Sequence, residues 1–436
     1  MHATPATEPR GGAVASREAR QRLGALDVLR AIAILLVIGR HLPTLPPGFP
    51  WPVAGMLNAW RHVGWAGVDL FFVLSGFLVS GLIFRDLELH GSFSLKTFLI
   101  RRGLKIYPGF YVFLLLALPT VLWIPGLVTP TSLLSEAFFV QNYGPSIFPH
   151  TWSLAIEEHF YLLLALTLWF ATRRRTLPLR KVMWACGACC LLVILFRVLT
   201  IHAGPFSLKR SLYPTHLRLD ALAFGVLLCA LHLTLRGEIT QFVRRHTLFL
   251  ATGSAVLISP ALILGYENSW VYTLGLTSMD VGFGGALLAA LAMQSAPRSK
   301  TLAGFGSKMA RALASVGRYS YSIYLWHIPV KMSVFFLPKR FFSLPFSFAG
   351  ALVWYAAGSI LVGILMGRLV EMPLLRWRDR KFPSRSGAGE TQGATGPHVR
   401  ASPLPDSMSR KSAAGSLSRG VGTPAENSTA DEIPRT

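Results

Sequence analysis

Acidic side chains are scarce in this sequence. Asp and Glu together number 20 in 436 residues, and all charged residues make up 14% of the chain, where a soluble domain carries about 25%. That deficit excludes a water-exposed globule. Cysteine is scarce too. Three of the four cysteines, Cys186, Cys189 and Cys190, fall inside one apolar run. They give no secreted disulfide framework. No His or acidic companion stands beside them to complete a metal site, so they read as buried apolar thiols. A Walker A loop, a zinc motif and a repeat of 20–50 residues are all missing. What the chain has is apolar bulk. Hydrophobic residues reach 52% and the mean hydropathy is +0.46. That excludes a disordered chain and defines an all-α polytopic membrane protein.

The charge that remains is basic. Lys and Arg number 43, giving a formal net charge of +23. No polar, foldable module carries this excess, so nucleic acid is not an expected partner. Two polar ends frame an apolar core. Residues 1–22 are polar and contain four arginines, and residues 381–436 are rich in Ser, Gly, Pro and Arg with Phe382 as the one aromatic. Neither end holds enough apolar surface to offset its ordering entropy. The expected organisation is a disordered basic tail over 1–22, an integral-membrane domain over 23–380 and a disordered tail over 381–436.

Windows of about 20 residues give ten spans, near 25–42, 65–84, 104–124, 152–171, 182–202, 217–235, 247–265, 276–294, 313–336 and 347–369. The first is read as a retained helix rather than a cleaved leader. Asp27 and Arg30 precede its apolar stretch, and no small-x-small cleavage site follows. The amphipathic segment 132–141 is too short to cross. With the N-terminus in the cytoplasm, the inside loops hold 17 Lys/Arg and the outside loops 5. Ten spans with both termini cytoplasmic therefore obey the positive-inside rule.

Ionisable residues inside spans are costly and mark function by default. Arg30 and His41 are eleven residues apart on the first helix. At about 100° per residue they fall on one face within roughly 20°, about 16 Å apart along the axis. Asp69 on the second span and Glu157 and Glu158 on the fourth are expected at the depth of His41. The two glutamates point about 100° apart, so at most one faces it. Towards the cytoplasm lies FLIRRGLKIYP at 98–108, with Arg101, Arg102 and Lys105 ahead of Pro108. Composition leaves two readings of these cations open, a positive-inside anchor and a phosphate site, since Arg grips phosphate with a forked geometry.

The same residues carry a family likeness. The Arg-x10-His of the first helix, GVDLFFVLSGFLVS at 67–80, the basic 98–108 segment, TWSLAIEEHFYLL at 151–163, THLRLDALAFG at 215–225, VGRYSYSIYLWHIPV at 316–330 and VEMPLL at 370–375 occur in order over 23–378. Together they resemble the motifs of the membrane-bound acyltransferase 3 family, whose members are O-acyltransferases of surface polysaccharides and related acceptors. The resemblance implies transfer of an acyl group, commonly acetyl, from acyl-CoA to a hydroxyl. It implies acyl-CoA as co-substrate with no permanently bound cofactor and no metal, and a carbohydrate or lipid-linked sugar as acceptor. It also implies a place in the bacterial inner (plasma) membrane. Carried over motif by motif, His41 is the catalytic residue and Arg30 its companion, while Arg101, Arg102 and Glu158 belong to donor-binding or active-site motifs. Lys105 departs from the family's usual Arg, keeping the charge and losing the fork.

The expected chemistry puts CoA phosphates on Arg101, Arg102 and Lys105, with the thioester reaching His41. A neutral imidazole, of ordinary pKa near 6.5, suits proton removal from a hydroxyl, with Glu158 or Asp69 orienting it. An acyl-histidine intermediate is the alternative. His327, in Tyr-Leu-Trp-His at 324–327, has two readings, a second base or structural packing with Tyr321 and Tyr324, and packing is the expectation. The rival class is a multi-pass secondary transporter or exporter of an envelope precursor, in which the same buried charges relay protons. The absence of paired broken repeats argues against it.

Overall fold

The computed structural model of the chain describes residues 10–173, 178–294, 305–335 and 347–383. Most of the expected C-terminal tail and residues 1–9 lie outside that set. Long apolar segments in lipid must satisfy every backbone group internally, and helices do so within one segment. Among the described residues there are helices and no strands. They are α1 (Arg10–Arg40), α2 (Trp51–Val63), α3 (Ala66–His90), α4 (Leu95–Ala117), α5 (Pro130–Ala137), α6 (Trp152–Thr172), α7 (Leu179–His202), α8 (Leu208–Ser211), α9 (Leu219–Arg245), α10 (Thr247–Leu264), α11 (Leu276–Gln294), α12 (Phe305–Arg318), α13 (Ser320–Phe335), α14 (Phe348–Met366) and α15 (Met372–Lys381). Helix α1 begins at Arg10, inside the stretch expected to be a tail.

Local chemistry sets several ends. Gly91 adopts φ 66° and closes α3 with its N–H on the Leu87 carbonyl, a left-handed cap that suits glycine. Ser94 then opens α4 by accepting the Thr97 N–H at 3.3 Å, and Ser347 opens α14 by accepting from Gly350 at 3.1 Å.

Among the described residues, seven helices are long and apolar enough to cross a bilayer, or eight if α9, bent by 103° near residue 236, counts as one span. The expected spans at 25–42 and 313–336 fall short of this measure. The first contains Asp27, Arg30 and Arg40, and α13 has 16 residues.

Helix α3 is central, with 67% of its most apolar window buried, whereas α10 has 11% buried. The outer helices therefore turn leucines and aromatics outwards: Trp184 is 73% exposed and Leu248 78%. In water this would be an aggregation hazard, and in a bilayer it is the lipid-facing surface. The central contacts use small residues, as helices in membranes do when their backbones approach closely. A methyl group at Gly76 would strike the Leu222 carbonyl of α9, and one at Gly225 would strike the Val73 carbonyl of α3. Gly317 of α12 lies in the same way on the Asp27 carbonyl of α1.

Gly225→Leu is expected to destabilise the bundle by at least about 1–3 kcal/mol, the usual cost of overpacking. Gly187→Leu, on α7 with open space around its α-carbon, should be tolerated. Size-exclusion profiles of the detergent-solubilised variants after graded heating check the contrast, and equal profiles would contradict the packing described.

Candidate active site

Two cavities meet in the middle of the bundle. The larger, about 260 Å³, is lined by Arg40 and His41 from the end of α1, Asp69 of α3, Pro149 and His150, Trp152 of α6, Tyr213, Arg218, Tyr266 and Tyr324. The smaller, about 110 Å³, is lined by Arg30, Ser75, Arg102, Lys105, Glu157, Arg318, Tyr321 and Glu371. Val68 and Tyr324 line both and form the wall between them. Arg30 on α1 and His41, one residue past its end, thus open into different cavities.

His41 sits one residue past α1, half-buried, its N–H on the Val37 and Ile38 carbonyls. Its ring centroid is 5.0 Å from that of His327, which in turn is 4.9 Å from that of His150. Local sequence explains how His150 is held. Pro329 lies inside α13 and has no N–H to give the Leu325 carbonyl one turn back. His150 Nε2 fills that vacancy, donating to Leu325 O at 3.2 Å. Tyr324 Oη donates to the His150 carbonyl, and Ser153 Oγ lies 2.6 Å from the same hydroxyl. Burial, then the neighbouring His327, hold the His150 pKa well below its usual value.

The loop bearing His150 is anchored by a buried carboxylate. Glu136, at 0% exposure, accepts the N–H groups of Ile147 (3.0 Å) and Phe148 (3.1 Å) and the Thr151 hydroxyl (2.9 Å). Burial pushes its carboxyl up from 4.5 to about 7, against the pull of those hydrogen bonds. Gln141 Nε2 adds a bond to the Thr151 carbonyl at 2.9 Å.

Asp69 is fully buried and paired with Arg218. Next to it Arg197 and Asp220 form a second buried pair at 2.5 Å. Thr277 donates to the other Asp220 oxygen at 2.6 Å, and Arg197 also donates to the Leu217 and Thr273 carbonyls. Trp152 stacks on Tyr213, with centroids 4.9 Å apart and planes 14° apart. Arg40 lies over the Tyr266 ring and donates to its hydroxyl.

The glutamates do not sit where the sequence places them. Glu157 faces the smaller cavity, accepting from Ser75 Oγ at 2.8 Å with Arg102 3.9 Å away. Glu158 lines neither cavity and lies against Tyr107 and Arg102. The expected shared depth with His41 is therefore corrected. Helix α6 presents Trp152 to the larger cavity and, a turn later, Glu157 to the smaller one. Among the cations, Arg102 lies over the Tyr161 ring at 3.8 Å and lines the smaller cavity with Lys105 and Arg30, the last paired with Asp27 at 3.2 Å. Arg101 turns away to Asp379 (3.0 Å) and the Phe382 carbonyl. Glu371 accepts from Ser322 at 2.7 Å on a π-helical turn, Gly367–Glu371, a distortion frequent at functional sites. Sequence reasoning missed His150, Arg40 and Tyr266. Their partners are remote in sequence, and no periodic pattern marks them.

Among the described residues no His, Cys, Asp or Glu group is arranged to hold a metal ion. The two cavities differ in character: imidazoles and aromatic walls line one, and Arg30, Arg102, Lys105 and Arg318 line the other. Residues 23–368 match the family model described as an acyltransferase domain, and the chain belongs to this acyltransferase 3 family. The O-acetyltransferase OatA of Staphylococcus aureus (strain NCTC 8325 / PS 47) is 28% identical over 329 residues, which cover 71% of this chain and 50% of that protein. A putative O-acetyltransferase of S. aureus (strain COL), SACOL0978, is 28% identical over 327 residues, 70% of this chain and 50% of its own. The chain thus spans about half the length of these relatives. No solved structure matches it.

The Glu136 anchor has a testable sign. Its folded-state pKa lies above the unfolded value, so the folded protein holds the extra proton, and this group's contribution to stability declines as pH rises from about 4.5 to 7. Glu136→Gln, fixed neutral, should gain melting temperature relative to wild type between pH 5 and 8. Glu136→Ala, which leaves two buried N–H groups without an acceptor, should lose about 2–4 kcal/mol at every pH. Melting curves of the three proteins across that range decide it.

Proposed function

We propose that this protein is an integral-membrane O-acetyltransferase that moves the acetyl group of acetyl-CoA to a hydroxyl of a carbohydrate, such as a cell-surface polysaccharide. The observation that carries this reading is the pair of cavities of unlike character, reached from Arg30 on α1 and from His41 just past its end and divided by Val68 and Tyr324. On the ten-span topology read from the loop charges, the cationic cavity opens on the cytoplasmic side, where acyl-CoA is made.

Arg102 and Lys105, with Arg30 and Arg318 beside them, suit the phosphates and polarised oxygens of the donor. The wall at Val68 and Tyr324 parts to let the thioester reach the larger cavity. There the sheet-like faces of Trp152 and Tyr213 suit the apolar face of a sugar ring. His41 takes the proton of the acceptor hydroxyl. The alkoxide attacks the thioester carbonyl, and the guanidinium of Arg40 or Arg218 faces the oxyanion. The C–S bond then breaks, the acetyl ester remains on the sugar, and the proton on His41 leaves with the CoA thiolate. The reaction is balanced without a metal or redox partner.

Membranes from cells expressing wild type or His41→Ala at matched levels, given radiolabelled acetyl-CoA, test the proposal. The expected result is label in the polysaccharide fraction with wild type and a loss of at least about 100-fold in the variant, the span of a general base. Arg102→Ala should instead raise KM for acetyl-CoA about tenfold or more, as the loss of a charge-assisted contact does. Solute uptake without thioester consumption, across a panel of acyl-CoAs, would replace this reading with that of a transporter.

A further inference from the structure

The two cavities differ in how their charges are matched. In the smaller one Glu157 and Glu371 stand against the cations. Among the described residues that line the larger one, Asp69 is the single carboxylate, and Arg218 takes it. Arg40 is left on that cavity without an opposite charge. Its guanidinium lies over the Tyr266 ring and gives an N–H to the Tyr266 hydroxyl. A guanidinium has five N–H groups, and no other one of Arg40 has an acceptor among the described residues.

More cations gather on this side. Lys331 of α13 and Arg40 are the permanent charges in the electrostatic surroundings of His41, and Arg61 of α2 repels Lys331 in turn. Among the described residues no ion pair joins Arg40, Arg61 or Lys331 to a carboxylate. Lys209 and Arg210 of α8 lie between Leu208 and Leu212, which line the cavity. Acidic residues are nearly missing here. On the ten-span topology the outside loops contain two, Glu136 and Glu267. Glu136 is buried under its own hydrogen bonds, and Glu267 is exposed and lines neither cavity. Lys and Arg are normally kept off the outer face, so topology does not account for this gathering. A charge in a wall of low dielectric attracts an opposite charge strongly, and a neutral sugar would leave that attraction unused.

We propose that the larger cavity selects an anionic acceptor: a saccharide bearing a carboxylate or phosphate, which takes the open N–H groups of Arg40 as a forked pair, with Lys331 adding to the positive field. Arg40 and His41 are consecutive, with α-carbons about 3.8 Å apart. The anion and the reacting hydroxyl therefore belong to one sugar or to adjoining sugars. With Arg40 on the acceptor, Arg218 is the guanidinium left for the oxyanion. This inference rests on the acyl-transfer reading and names its acceptor class, while the binding preference stands apart from catalysis.

The full-length protein in nanodiscs tests it. Saturation-transfer NMR compares methyl glucoside, methyl glucuronide and glucose 1-phosphate as neutral, carboxylate and phosphate probes. Wild type should bind at least one anionic probe about tenfold or more tightly than methyl glucoside, as a charge-assisted contact does. The favoured probe tells carboxylate from phosphate. In Arg40→Gln that ratio should fall to within about twofold, and in Arg40→Lys, which keeps the charge and loses the fork, to an intermediate value. Lys331→Gln should lower the ratio about two- to threefold by weakening the field alone. Equal binding of the three probes, no measurable binding of any, or a preference that survives Arg40→Gln, as it would if the smaller cavity held the anion, overturns the proposal. Acetyl transfer separates it from the broader reading. The polysaccharide fraction, offered as acceptor with radiolabelled acetyl-CoA, should lose its label after carboxyl reduction or after phosphate removal. Label undiminished by both treatments overturns the anionic acceptor and keeps the acyltransferase. Arg40-dependent anion binding in a protein that labels nothing retires the acyltransferase reading and keeps the anion site.

Discussion

The buried ion pair of Asp69 and Arg218 is the interaction on which the rest of the structure depends. Neither charge is tolerable in an apolar bundle without the other, and removing one partner of such a pair costs about 3–5 kcal/mol. Asp69 comes from the first turn of α3, and Arg218 from the residue that opens α9. Beside them Arg197 of α7 and Asp220 of α9 form the second pair, tied to Thr277 of α11. Four helices are therefore locked in one register by charges that lipid cannot screen. Asp69 and Arg218 also form the floor of the larger cavity, so the same pair fixes the fold and shapes the site. Asp69 is committed to Arg218, and no hydrogen bond or ion pair joins it to His41 on the same cavity.

Irregular backbone shapes the histidine cluster beside that cavity. Prolines and π-turns are tolerated in membrane helices where other groups take over the freed backbone atoms. Pro329 leaves the Leu325 carbonyl open, and His150 takes it. The loop that delivers His150 would itself expose N–H groups at depth, and the Glu136 carboxylate collects them. Three local imperfections, a proline, an internal carboxylate and a non-helical loop, thereby converge on one histidine cluster. Around it the uninterrupted helices α3 and α7 supply rigidity.

The division into two cavities gives Arg30 and His41 each their own electrostatic surroundings. Near Arg30 the walls carry four cations against two carboxylates, Glu157 and Glu371. Near His41 the walls are aromatic, with Arg40 and the neutralised Arg218. Tyr324 stands at the boundary, held by Ser153 and the His150 carbonyl, so the wall is tied to the loop that carries His150.

Much of this was legible in the sequence. Scarce charge and long apolar runs determined an all-helical membrane protein, because backbone hydrogen bonds must close within each segment. The ordered motifs placed the family, whereas the one shared face expected for Arg30 and His41 became two cavities, with His41 past the end of the helix. Helix rotation was legible for Glu157 and Glu158 as an angle of about 100°, but not which of them would meet which cavity. That was decided by Ser75 and Arg102 on other helices. Arg101 and Arg102 look alike in sequence, and only packing sent one to Asp379 and the other over Tyr161. His150 was beyond reach for the same reason. Its partner, the carbonyl freed by Pro329, lies 175 residues away. Helical periodicity reports which way a side chain leaves its own helix, while the identity of what it meets is fixed by contacts between segments that share no local pattern.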